Sequence, residues 1–188
     1  MFMEEKKNMK RTSSWGNKFI LSAIIQGAII TGLTISVVGV QMVSSNVNII
    51  QFLSLSFEGP AKWFFLGYVF YMILVVAIAT TAIFYNHLEI NLGKNIRGVR
   101  AIMAWIHLIG MNVGGAGTTI SMILAGLMGS GALDLILSRG GTELKENLAI
   151  MDQFIAPIAT FSGVLSIGVI AGGIAYISTY LQKTENQN

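Results

Sequence analysis

The sequence predicts an all-α integral membrane protein, a four-helix transmembrane bundle with both termini on the cytoplasmic side. Three observations predict it. Of 188 residues, 53% are hydrophobic and only 11% are charged, too few charges to cover a soluble domain of this size. The apolar residues form long unbroken runs instead of alternating, and that pattern selects helices over a barrel, the two structures that satisfy every backbone N–H and C=O in hydrocarbon. Four runs reach the roughly 20 residues needed to cross a core about 30 Å thick.

The first run, Phe19–Val43, follows the basic stretch MFMEEKKNMKRTSSWGNK. That start resembles the charged region of a signal peptide, but the run after it is too long for a signal-peptide core and has no clear small-residue cleavage site, so a retained helix is expected. The second run, Trp63–Tyr85, is the most uniformly apolar and is expected to face lipid. The third, Ala101–Leu127, carries His107, Asn112, Thr118, Thr119 and a dense set of glycines. The fourth is Phe154–Leu181. Residues 1–18 then form a basic cytoplasmic segment, 19–181 the transmembrane domain and 182–188 a short cytoplasmic tail.

Charge sets the direction. Lys6, Lys7, Lys10, Arg11 and Lys18 precede the first run, Lys94, Arg97 and Arg100 lie between the second and third, and Lys183 follows the fourth. The other two loops hold only Lys62, Arg139 and Lys145. This bias of nine to three places both termini inside by the positive-inside rule, and the expected location is the plasma membrane. The outer loops carry Glu58, Asp134, Glu143, Glu146 and Asp152. In the second outer loop, TELKENLAIMDQF has Thr142 placed as an N-cap and Glu143 in the first turn, which predicts a short amphipathic surface helix. The first outer loop, SSNVNIIQFLSLSFEGP, is apolar enough to lie on the membrane or against a partner.

Small residues mark the faces expected to pack. Gly110 and Gly114 form a GxxxG pair that Thr118 continues, Gly168 and Gly172 form another, and Ala28, Gly32 and Ser36 share the same spacing. Lipid is as apolar as leucine, so membrane helices associate by close backbone approach, which small residues one turn apart permit. Asn112, Thr118 and Thr119 are expected to bond across helices, with Gln26 as a counterpart.

Chemistry-bearing residues are few. The chain has no cysteine, which excludes disulfides, iron–sulfur clusters, thiolate zinc sites and cysteine nucleophiles. His107 lies about a turn and a half inside its span, where an ionisable group marks a functional hypothesis. It reads either as a neutral imidazole bonding a neighbouring helix or as a ligand or proton-relay group. His87 and Glu89 offer too few ligands for most metals and read as solvent-facing polar groups, and the depths of His87 and His107 disfavour a shared haem. The ten methionines are scattered, not clustered as a copper site would need. No carboxylate lies in any run and no broken helix is evident there, whereas ion-coupled transport asks for one or the other. The loop GKNIRGVR suits anionic lipid headgroups at Lys94, Arg97 and Arg100, not nucleic acid. No metal site or cofactor of its own is expected.

At WIHLIGMNVGGAG and ILAGLMGSG the sequence resembles a late transmembrane helix of the haem–copper oxidase catalytic subunit. There an aromatic-rich helix start leads to Gly-Met-Asn, here Gly110, Met111 and Asn112, and then to a Gly-Leu-x-Gly exit, here Gly126, Leu127, Met128 and Gly129. The following ATFSGVLSIG is similar to the next helix of that family, so the likeness covers the second half of the chain. The spacing from Asn112 to Gly126 is about one turn longer than the family pattern, and Ser130 and Gly131 replace the basic pair after the exit. The family's six metal-ligating histidines face a total of two here. The resemblance therefore implies a small or split, ligand-free subunit of such an oxidase, with haem or copper held by partner subunits; the Gly110/Gly114 and Gly168/Gly172 faces are then expected to pack on the catalytic subunit and the acidic outer loops to cover or dock a second partner. A copper-dependent membrane monooxygenase subunit fits the same features, and so, from other classes, do a small transporter or channel lined by Asn112, His107 and Gln26 or a b-haem or quinone protein using His107.

Overall fold

In a computed structural model of the chain, the residues described are 13–43, 48–55, 59–137 and 146–182. Most of them are helical, and four helices are long and apolar enough to cross a membrane. Span one is α1 (Ser14–Val43), and a short α2 (Ile49–Leu55) follows it. Span two is α3 (Ala61–Asn86), continued by a π-helical turn at His87–Asn91. Span three runs from Val99 to Gly129 as α4 (Val99–Ile109), a π-wound segment (Gly110–Gly115) and α5 (Ala116–Gly129). After the short α6 (Ala132–Leu137), span four is α7 (Leu148–Tyr180).

The spans pack in a row: α1 lies on α3, α3 on α5, and α4, the π-wound segment and α5 on α7. Burial follows this order. Within the apolar stretch of each helix, 56% of span three is buried, 28% of span two and 11% of spans one and four. Most of span two's apolar stretch is thus open to lipid, as its composition predicts, but one side of it is packed between α1 and α5. Its inward stripe is Phe64, Gly67, Tyr71, Leu74, Ile78, Ala82 and Tyr85, at the three- and four-residue steps that keep side chains on one helical face. The uniform apolarity of its outer side hides that stripe in a simple hydropathy reading.

Glycine sets the distance between the inner helices. A Cβ at Gly67 would stand 2.8 Å from the carbonyl oxygen of Thr119, and one at Gly126 would collide with the backbone of Phe64, so α3 and α5 touch backbone to backbone from both sides. On the other flank Gly110 meets Gly168, Gly114 meets Leu165 and Gly172 meets His107, so the faces expected to pack on a catalytic subunit are instead taken up between spans three and four of this chain, each covering the other. The Ala28, Gly32 and Ser36 ridge differs: all three residues are exposed and nothing lies within 4 Å of a Cβ built on Gly32. No helix of this chain covers that ridge among the described residues.

The loops depart from expectation in three places. α1 starts at Ser14, before the predicted apolar boundary, because its first turn is capped from another helix. The surface helix expected across 142–154 is not a separate element where it is described: residues from Leu148 onward form the first turns of α7, and 142–145 lie outside the described residues. Asn147 N–H donates to the Gly129 carbonyl at 2.8 Å and Met151 packs on Gly129, which pins the start of α7 to the end of α5; the helix runs on with Pro157 inside it. The loop between spans one and two contains α2, whose Ile49 and Leu53 are buried against the α1/α3 pair.

Candidate functional site

Span three presents polar groups to both its neighbours, at two levels. At the middle level lies a three-helix hydrogen-bond chain. Tyr71 of α3 donates its hydroxyl to Gln26 Oε1, Gln26 Nε2 donates to Asn112 Oδ1 at 3.0 Å, and Asn112 Nδ2 donates to the Leu108 carbonyl at 2.8 Å. Gln26 and Tyr71 are buried. Asn112 sits within the π-wound segment, where three glycines, Gly110, Gly114 and Gly115, lower the steric cost of unusual winding. π-winding disturbs the regular carbonyl ladder, and the Asn112 amide supplies the Leu108 carbonyl with a donor. The span is thus rewound at mid-helix, a feature composition does not announce, yet its backbone stays helical.

The second level lies nearer the basic end. The His107 ring lies over Gly172 of α7, whose missing side chain leaves the space the imidazole fills. Tyr85 OH and His107 Nδ1 are 3.3 Å apart, Phe19 stacks on Tyr85 at 4.9 Å between ring centroids, and Phe19 also contacts the His107 ring at 5.2 Å. Next to them Trp15 and Trp105 meet edge to face at 5.5 Å, with the Lys18 ammonium 3.9 Å from the Trp15 ring centroid and 4.5 Å from that of Trp105. The cation is held by ring faces.

Glu89, expected to face solvent, has a structural task. Its Oε2 accepts from the Trp15 backbone N–H at 2.9 Å and from the Ser13 hydroxyl, while Ser13 Oγ accepts from Gly16 N–H at 2.9 Å. A carboxylate on unsatisfied N–H groups at a helix start is favourable in hydrogen bonding and in dipole. So α1 is capped from the π-helical end of span two. His87, by contrast, is a side-chain neighbour of Asn91 at 3.0 Å on the exposed side. Among the described residues no three His, Asp or Glu gather as a metal site would require.

The basic loop is partly committed to the fold. Arg100 Nη1 donates to Gln182 Oε1 at 2.6 Å and Lys94 Nζ donates to the Gln182 backbone carbonyl, placing cations at the C-terminal end of α7, where the helix dipole favours them. Arg97 is exposed. Of the threonines, Thr118 Oγ1 lies 3.3 Å from Ser162 Oγ across the α5/α7 contact, whereas Thr119 bonds back to Gly115 and Ala116 of its own helix.

Tyr71, Tyr85 and Glu89 are thus members of the polar levels that a search for histidines and carboxylates passes over. The signal for the tyrosines is their place on the inward stripe of α3. Glu89 has no comparable signal, since its partners lie 74 and 76 residues away.

These features define a class, a multi-pass helical membrane protein whose polar side chains are tied from helix to helix across its central span. Comparison of the chain with protein-family models, curated proteins and solved structures finds no match.

Proposed function

We propose that this chain is a non-catalytic subunit of a larger membrane oxidoreductase, a respiratory terminal oxidase, held in the plasma membrane with both termini in the cytoplasm. The observation that carries the reading is the bare ridge of α1. Ala28, Gly32 and Ser36 provide close-approach geometry, yet no helix of this chain occupies it among the described residues. The row-like packing adds to this, since α1 and α7 both keep broad outward faces, with Ile24, Ile35, Ile167 and Ile170 each more than 60% exposed. A catalytic subunit would cover those faces and hold any haem or copper. The oxidase assignment rests on the likeness of Gly110–Asn112, Gly126–Gly129 and 159–168 to the late helices of that catalytic subunit, and the orientation on the Lys/Arg bias.

The polar levels support a structural role. Gln26, Tyr71 and Asn112 bond one another, and His107 is enclosed by Gly172, Tyr85 and Phe19. Native-complex mass spectrometry after extraction in mild detergent tests the reading, paired with a reduced-minus-oxidised spectrum of the purified assembly. Co-purification with larger membrane subunits carrying haem is expected. A monodisperse small oligomer of this chain alone, or a haem spectrum from the isolated chain, overturns it.

A further inference from the structure

Between α1, α2 and α3, at the end of the molecule where α3 begins, lies a groove of about 270 Å³. α1 contributes Thr34, Val37 and Val38, α2 contributes Ile50 and Leu53, and α3 supplies a floor that includes Phe64, Phe65, Tyr68, Val69 and Met72. The two hydroxyls in this wall satisfy each other, Thr34 Oγ1 and Tyr68 OH being 2.8 Å apart, and Thr34 also donates to the Ile30 carbonyl. The groove thus offers a ligand almost pure hydrocarbon. It is also a built feature: α2 closes one side and is fixed there by buried Ile49 and Leu53, with Asn48 Oδ1 accepting from Gln51 N–H at 3.0 Å as its cap.

The charge at its mouth selects the occupant. Lys62 is exposed and stands three, seven and ten residues before Phe65, Val69 and Met72, the steps that share one helical face. That register puts Lys62 on the same face of α3 as the groove floor, one turn before it, at the helix start where a span meets the headgroup layer. A cation there and a hydrocarbon slot below it match a lipid with a negative headgroup and an acyl chain. We propose that this groove is a binding site for an anionic phospholipid, with one acyl chain between Val38 and Val69 and the headgroup phosphate on Lys62.

The site does not depend on the proposed assembly and is testable on the purified chain. The protein is reconstituted in phosphatidylcholine vesicles containing phosphatidylglycerol with a photoactivatable acyl chain, and labelled peptides are mapped. Labelling of 34–38 and 64–72 severalfold above the equally lipid-exposed 167–174 of α7 is expected. Val69→Trp and, from the opposite wall, Val38→Trp fill the slot and should each remove that excess in protein whose thermal unfolding is unchanged. Lys62→Gln should lower labelling by the phosphatidylglycerol probe severalfold while leaving that by a phosphatidylcholine probe with the same chain unaltered. Equal labelling of the groove and of α7, or labelling indifferent to both tryptophans, overturns the site. Indifference to Lys62→Gln overturns the choice of an anionic lipid. Efficient disulfide trapping of a Val38→Cys dimer that shields the groove assigns it to a second copy and overturns the proposal as well.

Discussion

Gly110 and Gly168 meet so closely that a Cβ built on Gly110 would stand 2.5 Å from the Gly168 Cα, and one on Gly168 would stand 2.7 Å from the Gly110 Cα. Neither backbone can retreat without opening the α4/α7 contact. Gly110→Ala and Gly168→Ala are each expected to cost about 1–3 kcal/mol, the usual range for overpacking. Gly163→Ala and Gly173→Ala, where nothing lies within 4 Å of the added carbon, should change stability little. Unfolding of the four variants in mixed micelles, followed by far-ultraviolet dichroism, separates the pairs.

Gly172 and His107 form a second interlocked pair, because a methyl at Gly172 would overlap the imidazole ring. Gly172→Ala should destabilise the fold, and much of that loss should disappear when His107 is first shortened to Ser. A double-mutant cycle should give a coupling of at least about 0.5 kcal/mol, the level that marks residues in contact. Simple additivity would mean the ring is free to turn away.

The Glu89 cap predicts a local effect. Glu89→Ala removes the acceptor for Trp15 N–H and should cost about 0.5–2 kcal/mol, as loss of a helix cap does. Hydrogen exchange should accelerate at Trp15 and Gly16 well before it does in the middle of α1. Glu89→Gln, which keeps a carbonyl acceptor, should restore part of the protection.

The Gln26–Asn112 bond holds span one against span three. Gln26→Leu and Asn112→Leu, measured singly and together, should reveal a coupling of about 0.6 kcal/mol with an upper bound near 1.7, the range found between membrane helices. Tyr71→Phe tests the same chain from span two, since it deletes the donor to Gln26 Oε1. The expected signature is that Tyr71→Phe loses its effect once Gln26 is Leu.

Much of this protein was legible along the chain. The four spans follow from run length, the close-approach glycines of spans three and four from their spacing, and the Gln26 counterpart for Asn112 from the scarcity of polar groups in apolar runs. Span two does keep most of its apolar stretch unburied, but hydropathy did not reveal its inward stripe, because in a membrane the outer surface is as apolar as the interior. Small and aromatic residues at Gly67, Tyr71, Ala82 and Tyr85 held that information instead.

What the sequence determined by itself is how the chain satisfies its backbone in hydrocarbon, as four helices long enough to cross it, because that depends only on local composition. What the tertiary structure decided is which small-residue faces were taken. Gly110 and Gly168 found each other, Ala28, Gly32 and Ser36 remained bare among the described residues, and Glu89 became a cap for a helix more than seventy residues away. Close approach and capping depend on two surfaces meeting in space, and each surface alone carries only half of that condition.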